Sequence, residues 1–153
     1  MDLIFWRHAE AFEPIVGQDD MSRILTPKGE KQAKRMAAWL DRQLPAGVRV
    51  LVSPALRTEQ TARALNRKIK LLQDLSPAAE PDQVLKAAGW PDAKMPILIV
   101  GHQPTLGRII AALLGLSEQE CAVRKGAVWW LRSRLREGVQ QTVIVTVQNP
   151  DLL

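Results

Sequence analysis

Three short apolar runs, each ended by polar residues, constrain the fold of this chain more than any other feature. They are residues 3–6, 48–52 and 97–100, and they are rich in valine, isoleucine and leucine. None shows the strict apolar–polar alternation of a strand with one face in water. Runs of this kind are typical of parallel strands that are buried on both faces. We therefore expect a central, mostly parallel sheet.

A helix-start signal follows each apolar run. Thr26 before Pro27 suits an N-cap and a first helical position. Ser53 before Pro54 predicts the start of a second helix in the same way, and Pro104 predicts a third. Strands that alternate with helices indicate an α/β fold.

The later part of the chain predicts an antiparallel edge. Residues 127–132 and 142–148 have strand composition, and Gly138 between them favours a hairpin turn. A weaker helix is expected at residues 82–88. We predict a three-layer α/β/α sandwich, with a mostly parallel central sheet and an antiparallel edge. Since 153 residues suit one core, we expect a single domain over residues 1–153 without a large cap insertion.

Composition narrows the partners and the compartment. The formal charge of +5 suits an acidic protein, a nucleic acid or simply a basic surface. An aromatic content of 5% without tyrosine leaves little for base stacking, so we expect no nucleic-acid partner. No apolar run approaches the roughly 20 residues that span a bilayer, so we expect no membrane partner. One cysteine, Cys121, cannot form an internal disulfide, and we expect a cytoplasmic protein.

Both histidines of the chain follow apolar runs. His8 comes after Arg7 at the end of the first run, and His102 comes after Gly101 at the end of the third. Arg57 lies shortly after the second run. The carboxyl ends of parallel strands meet at one edge of a sheet, where ligands of α/β proteins bind. One histidine at a strand end is more often structural, but two at equivalent positions favour a shared site.

A phosphoryl group suits these residues better than a metal ion does. Arginine presents a planar fork of donors that matches phosphate oxygens, and a neutral imidazole is a competent nucleophile. We expect Arg7 and Arg57 to help keep His8 unprotonated. No third metal ligand stands near the histidines in the sequence, and the arginines would repel a cation. We therefore expect no metal and no cofactor.

Four segments resemble, in order, the motifs of one family. Residues 3–10, LIFWRHAE, resemble the Arg-His-Gly motif that opens the histidine phosphatases, the phosphoglycerate mutase-like superfamily. Its later signatures resemble residues 25–33 (LTPKGEKQA), 53–62 (SPALRTEQTA) and 100–104 (VGHQP). The short chain and residues 74–77 (DLSP) look most like SixA-type phosphohistidine phosphatases. The resemblance implies a phosphoglycerate mutase-like fold and a single histidine phosphatase domain.

The resemblance also implies residue roles. His8 would accept the phosphoryl group as a covalent phosphohistidine, and water would then hydrolyse that intermediate. Arg7, Arg57 and His102 would hold the phosphate oxygens. Arg23 would add a contact at the mouth of the pocket, although a solvated surface charge is an equally good interpretation.

Two departures from the family pattern bear on mechanism. Ala9 stands where the family usually has glycine, which the fold tolerates if φ is negative there. Many relatives also carry a glutamate that protonates the leaving oxygen. Asp74 is the nearest candidate acid by position, Glu10 is a further one, and a plain loop aspartate is as good an interpretation of Asp74. A weak acid suits phosphohistidine, because imidazole leaves more readily than an alkoxide.

The function implied is that of a protein phosphohistidine phosphatase. Its partner would be a phosphorylated protein such as a histidine phosphotransfer or phosphocarrier domain. One alternative is a phosphatase of small phosphomonoesters in the same superfamily. Another is a non-catalytic module that binds a phosphorylated ligand, although binding alone would not need His8. Nucleic-acid binding is suggested only by the net charge.

Overall fold

The computed structural model describes residues 1–153 and contains six strands and four α-helices. The strands are β1 (Asp2–Arg7), β2 (Arg49–Val52), β3 (Lys70–Leu71), β4 (Ile97–Gly101), β5 (Val128–Arg136) and β6 (Val139–Gln148). The helices are α1 (Pro27–Gln43), α2 (Leu56–Arg63), α3 (Pro81–Ala87) and α4 (Thr105–Leu113). Three short 3₁₀ helices cover Asp20–Ser22, Gln73–Leu75 and Pro150–Leu152.

One sheet joins all six strands in the order β3-β2-β4-β1-β5-β6. Strands β3, β2, β4 and β1 pair in parallel, whereas β5 pairs antiparallel with both β1 and β6. The prediction of a mostly parallel sheet with an antiparallel hairpin at one edge is therefore confirmed.

The central strands are buried on both faces. In β1, Leu3 and Phe5 belong to one hydrophobic cluster, and Ile4 and Trp6 belong to another. Alternate side chains of a strand point to opposite faces of the sheet, so the two clusters are the two sides of the sandwich. Helices α3 and α4 contribute to the first cluster and α1 and α2 to the second, which gives the predicted three layers.

Local capping explains where α1 begins, whereas α2 forms as predicted but its predicted start was wrong. The Oγ1 atom of Thr26 accepts the N–H of Gly29 at 3.0 Å, with Pro27 at the first helical position. Helix α2 begins only at Leu56 and has no side-chain cap. The hydroxyl of Ser53 is engaged with His102 instead, at an Oγ–Nε2 distance of 2.7 Å.

None of the helices combines the length and the apolar character that crossing a membrane requires.

Candidate active site

Three neighbouring parallel strands bring the predicted residues to one edge of the sheet. Arg7 ends β1 and His8 follows it, while His102 follows β4, which lies between β1 and β2. Arg57 comes from α2, which follows β2. These four residues line a single pocket of about 260 Å³, as expected from the strand-end rule.

The backbone around His8 fixes the orientation of its ring. The main-chain N–H of His8 donates to the carbonyl of Gly101, and its own carbonyl accepts the N–H of Gly126. On the ring, Nδ1 lies 2.8 Å from the carbonyl oxygen of Ala9. A carbonyl oxygen can only accept, so Nδ1 carries the proton. The Nε2 atom therefore keeps its lone pair and is the ring nitrogen that is chemically able to act as a nucleophile.

Burial holds His8 in the neutral form. It lowers the pKa of His8 to about 4 from 6.5, while the hydrogen bond to Ala9 works in the opposite direction. The positive charges of Arg7, Arg57 and Arg23 lower the pKa further. The expected effect of the arginines is thus present, but desolvation is the larger cause.

The two arginines predicted to bind phosphate are anchored by main-chain oxygens. Arg7 donates from Nη1 to the carbonyl of Val123 at 2.9 Å. Arg57 donates from Nη1 to the carbonyl of Asp20 at 2.7 Å and from Nη2 to the Asp20 carboxylate at 3.0 Å. Each guanidinium group is thereby held in place on one side. Asp20 comes from the β1–α1 connection, and the sequence analysis did not single it out.

Three buried side-chain atoms have no hydrogen-bond partner in the whole chain: Nε of Arg7, Nε of Arg57 and Nδ1 of His102. All three belong to residues that line the pocket. Unpaired buried polar groups are uncommon in folded proteins, so their concentration here needs an explanation. An oxyanion in the pocket would supply acceptors for two arginines and a histidine together.

A hydrogen bond to Ser53 sets the proton position on His102. Ser53 is fully buried, and its Oγ accepts the N–H of Ala55 at 3.3 Å. Its hydroxyl proton is then available to Nε2 of His102, which we assign as the acceptor at 2.7 Å. The ring proton consequently sits on Nδ1. Burial, followed by the charges of His8 and Arg57, lowers the pKa of His102 to about 3, so it acts as a neutral donor.

Arg23 also lines the pocket. Its Nε donates to the carboxylate of Asp20 at 3.0 Å, and its Nη1 donates to the carbonyl of Phe12 at 2.9 Å. The side chain is thus tied to the β1–α1 connection rather than freely solvated. Its contact with a phosphoryl group stays a prediction.

The candidate acid Asp74 does not lie in this pocket, and its expected position was wrong. It lies in the 3₁₀ helix after β3 and lines a separate depression with Gln83 and Lys86. The segment after β3 does reach the active-site pocket, but it does so through Pro77, three residues after Asp74. The further candidate Glu10 accepts the hydroxyl of Thr26 at 2.7 Å and does not line the pocket either.

Glu13 is the carboxyl residue that does line the pocket. It belongs to the β1–α1 connection, five residues after His8 in a segment without a strand or helix signal. Nothing in the sequence marked it, because its position depends on how this connection folds back over the sheet edge.

Ala9 is tolerated for the expected reason. The residue is completely buried and its N–H donates to Oγ1 of Thr61 at 3.0 Å. Positive φ values occur at several glycines and, among other residues, only at Asn66 and Glu137. Ala9 therefore has an ordinary backbone conformation that does not require glycine.

The chain also contains no group of three or more His, Cys, Asp or Glu side chains placed to hold a metal ion.

Comparison with known proteins agrees with this geometry. The family model of the histidine phosphatase superfamily (branch 1) matches residues 3–80. The chain belongs to this superfamily and is a phosphatase. It is 31% identical over 134 residues to a phosphohistidine phosphatase SixA homolog of Haemophilus influenzae, covering 75% of this chain and 78% of the relative.

Two further relatives confirm the resemblance to the SixA type. Phosphohistidine phosphatase SixA of Escherichia coli is 31% identical over 121 residues, which is 74% of each chain. The structure of the protein histidine phosphatase SixA complexed with tungstate superimposes with a TM-score of 0.78 at 26% identity, covering 99% of both chains. The predicted phosphoglycerate mutase-like fold is thereby confirmed.

Proposed function

We propose that this phosphatase removes phosphoryl groups from phosphohistidine on a partner protein, through a covalent intermediate on Nε2 of His8. The observation that carries the proposal is that Arg7, Arg57 and His102, the three residues with an unpaired buried nitrogen, all line one pocket. Their side chains are donors of the kind that binds the oxygens of a phosphoryl group. The relatives that are named as phosphohistidine phosphatases support the substrate class.

In the first step, Nε2 of His8 attacks phosphorus and the N–P bond of the substrate breaks. The lone pair of that bond stays with the substrate histidine, which leaves as imidazole. Because Nδ1 of His8 keeps its proton and donates it to the carbonyl of Ala9, Nε2 is already unprotonated and no base is needed to activate the nucleophile. Arg7, Arg57 and His102 stabilise charge on the equatorial oxygens as the phosphoryl group moves.

In the second step, one water molecule attacks the phosphoryl group on His8 from the opposite side. The bond from Nε2 to phosphorus breaks, inorganic phosphate forms, and His8 returns to its neutral form. The low pKa of His8, about 4, makes it a good leaving group here, as burial disfavours its protonated form. The whole reaction consumes one water for each phosphate released.

The leaving group distinguishes this proposal from the second candidate function, hydrolysis of small phosphomonoesters. An alkoxide needs a proton in the transition state, whereas an imidazole protonated on its other nitrogen leaves as a neutral molecule. The observation that favours the second candidate is Glu13, which lines the pocket and could supply that proton. We expect Glu13→Gln to slow ester hydrolysis by about tenfold and phosphohistidine hydrolysis by far less.

Asp74→Asn is the matched control for Glu13→Gln. Asp74 lies in a different depression, so its substitution should leave both rates unchanged. Rates on both substrates would be measured as phosphate release under saturating conditions. If Glu13→Gln slowed both substrates equally, Glu13 would have a role other than protonating an ester leaving group.

We further propose that residues 1–153 act as one histidine phosphatase domain without a large cap. In support, the strands form one sheet, and the β1–α1 connection is the segment that supplies Glu13 and Pro14 to the pocket. A phosphorylated histidine phosphotransfer or phosphocarrier domain is the partner we propose, which would place the protein in signal transduction. The free thiol of Cys121 suits a reducing, cytoplasmic setting.

Phosphate release from a phosphorylated histidine phosphotransfer domain tests the proposed function. We expect the purified protein to hydrolyse it, and His8→Ala to abolish hydrolysis while circular dichroism shows an intact fold. Arg57→Lys should lower the rate of phosphate release at least tenfold, because lysine cannot reproduce the planar fork of donors of arginine. Arg63→Lys is the matched control, since Arg63 lies on the same helix with 62% of its side chain exposed.

Two outcomes would contradict the proposal. Full activity of His8→Ala would remove the covalent mechanism. Efficient hydrolysis of small phosphate esters, together with no release from the phosphorylated domain, would favour the second candidate.

A further inference from the structure

An exposed apolar surface borders the active-site pocket. It consists of Phe12, Ile15, Val16 and Ile24, which we call the apolar rim; their exposed fractions are 48%, 66%, 104% and 44%. Three of them line a depression together with Glu13 and Pro14, and those two residues also line the active-site pocket. The apolar rim and the catalytic pocket therefore share a wall.

The fold holds the apolar rim in a defined shape. The N–H of Gln18 donates to the carbonyl of Ile15 at 3.0 Å, which closes a four-residue turn. Gly17 adopts φ +87° in that turn, a conformation that favours glycine. Val16 is thereby displayed at the tip, completely exposed.

Hydrogen bonds at the base of the connection complete the support. The N–H of Phe12 donates to the carbonyl of Ile24 at 3.0 Å, and Nη1 of Arg23 donates to the carbonyl of Phe12 at 2.9 Å. A surface that is ordered before binding loses less conformational entropy when a partner docks. Several large apolar side chains displayed together on a rigid segment mark an interaction site more often than scattered exposed ones do.

Charge favours a protein over a lipid surface as the occupant. Residues 10–24, which carry the apolar rim, contain four acidic residues and one basic residue, Arg23, whose charge is paired with Asp20. Membrane-surface segments rely on basic residues to approach anionic lipids, so this segment would be repelled. An apolar patch on a folded protein carries no such penalty.

We propose that the apolar rim docks the substrate phosphoprotein, contacting an apolar face beside its phosphohistidine. This inference rests on the proposed function, because the docked surface must place a phosphohistidine in the adjoining pocket. Contacts remote from the reacting atoms raise kcat/KM for substrates that can make them. A single phosphorylated amino acid reaches the pocket but does not extend over the apolar rim.

The test compares two substrates of the same chemistry and different size. Val16→Ser and Ile15→Ser would be assayed on a phosphorylated histidine phosphotransfer domain and on free phosphohistidine. We expect each substitution to lower kcat/KM for the phosphorylated domain by about tenfold. We expect kcat/KM for free phosphohistidine to stay within about twofold, because neither side chain lines the catalytic pocket.

Val139→Ser and Leu135→Ser are matched controls on the β5–β6 hairpin. Val139 and Leu135 are 61% and 70% exposed and lie outside the pocket, so both activities should be unchanged. Equal losses on the two substrates, or no loss on the phosphorylated domain, would overturn the docking surface. Binding of the wild-type protein to phosphatidylcholine–phosphatidylglycerol vesicles, lost in Val16→Ser, would assign the apolar rim to a membrane and also overturn it.

The failure of the proposed function is separately visible. A wild-type protein that hydrolyses free phosphohistidine but not the phosphorylated domain would remove the protein substrate, and the docking surface with it. A wild-type protein that hydrolyses both, with unaffected Val16→Ser and Ile15→Ser variants, would remove the docking surface alone.

Discussion

Ser53 is a positioning residue for His102. With its hydroxyl donating to Nε2 of His102, Ser53 leaves the ring proton on Nδ1, where it is available to the proposed phosphoryl group. We expect Ser53→Ala to lower kcat about tenfold, the loss of roughly one hydrogen bond. Nitrogen NMR shifts of His102 should show that the proton is no longer confined to Nδ1.

Ser133→Ala is the control for that substitution. Ser133 is as buried as Ser53, but it lies on β5 and contacts Thr142. It should change neither kcat nor the His102 spectrum. An unaltered tautomer in Ser53→Ala would show that another contact sets the proton on His102.

The burial of His8 predicts how stability depends on pH. An unfolded chain protonates this imidazole below about pH 6.5, whereas the folded protein resists protonation until about pH 4. The unfolded state thus binds more protons between these values, so the free energy of unfolding falls as pH drops through this window. A shift of this size corresponds to roughly 3 kcal/mol for one buried group.

Urea denaturation at a series of pH values measures the effect. Wild type should lose stability between pH 6.5 and pH 4, and His8→Gln should lose less across the same range, because it lacks the titrating ring. His102 remains in both proteins, and its pKa of about 3 leaves a residual acid dependence. Parallel curves for the two proteins would show that His8 is not held neutral by the fold.

Sequence and structure agree on residues whose position follows from a local pattern. Arg7 ends a buried strand and His8 and His102 directly follow buried strands, so their convergence could be predicted from the strand ends. Glu13 and Asp20 reach the site because the β1–α1 connection folds back over the sheet edge. That folding depends on long-range contacts, which no spacing in the sequence encodes.

At the scale of elements, the N-terminus of α1 packs against the connection that borders the active site. A Cβ atom at Gly29 would lie 1.9 Å from the carbonyl oxygen of Glu10. The same carbonyl accepts the N–H of Thr26 at 3.0 Å, so moving it would break this hydrogen bond. Helix and connection are therefore built around the absence of a side chain at this position.

Gly29→Ala is accordingly expected to destabilise the protein by about 1–3 kcal/mol through overpacking. Helix propensity alone predicts the opposite, a gain of roughly 1 kcal/mol. The free energy of unfolding from urea denaturation distinguishes the two. Lys34→Ala, on the exposed side of the same helix, should change the free energy of unfolding little. A stabilised Gly29→Ala variant would show that the β1–α1 connection can shift to accommodate the methyl group.

Strand and helix boundaries were predictable where burial dominates. Strand β4 is buried along its whole length, and α1 carries both an N-cap and an apolar face, so sequence and structure agree there. The start of α2 was not predictable, because the hydroxyl of Ser53 could either cap the helix or bond to His102. In the structure it bonds to His102. Asp74 was a wrong candidate because the segment after β3 brings Pro77, and not Asp74, to the pocket, and that choice depends on long-range packing.

At the scale of the whole molecule, the net charge of +5 bears on how the proposed phosphorylated partner arrives. Long-range attraction speeds encounter with an acidic protein and is screened beyond a Debye length of about 10 Å at 0.1 M salt. We expect kcat/KM for a phosphorylated histidine phosphotransfer domain of negative net charge to fall as sodium chloride rises from about 0.02 to 0.3 M. The value of kcat should change little, because the buried pocket is screened less than the surface.

Free phosphohistidine provides the comparison for this salt titration. It shares the phosphoryl group but lacks the acidic protein surface, so its kcat/KM should fall less steeply with salt. Equal slopes would mean that attraction acts on the phosphoryl group alone, through Arg7, Arg23 and Arg57 in the pocket. A steeper slope for the protein substrate would show that the basic surface as a whole guides the partner, leaving close alignment to contacts such as those of the apolar rim, which salt does not screen.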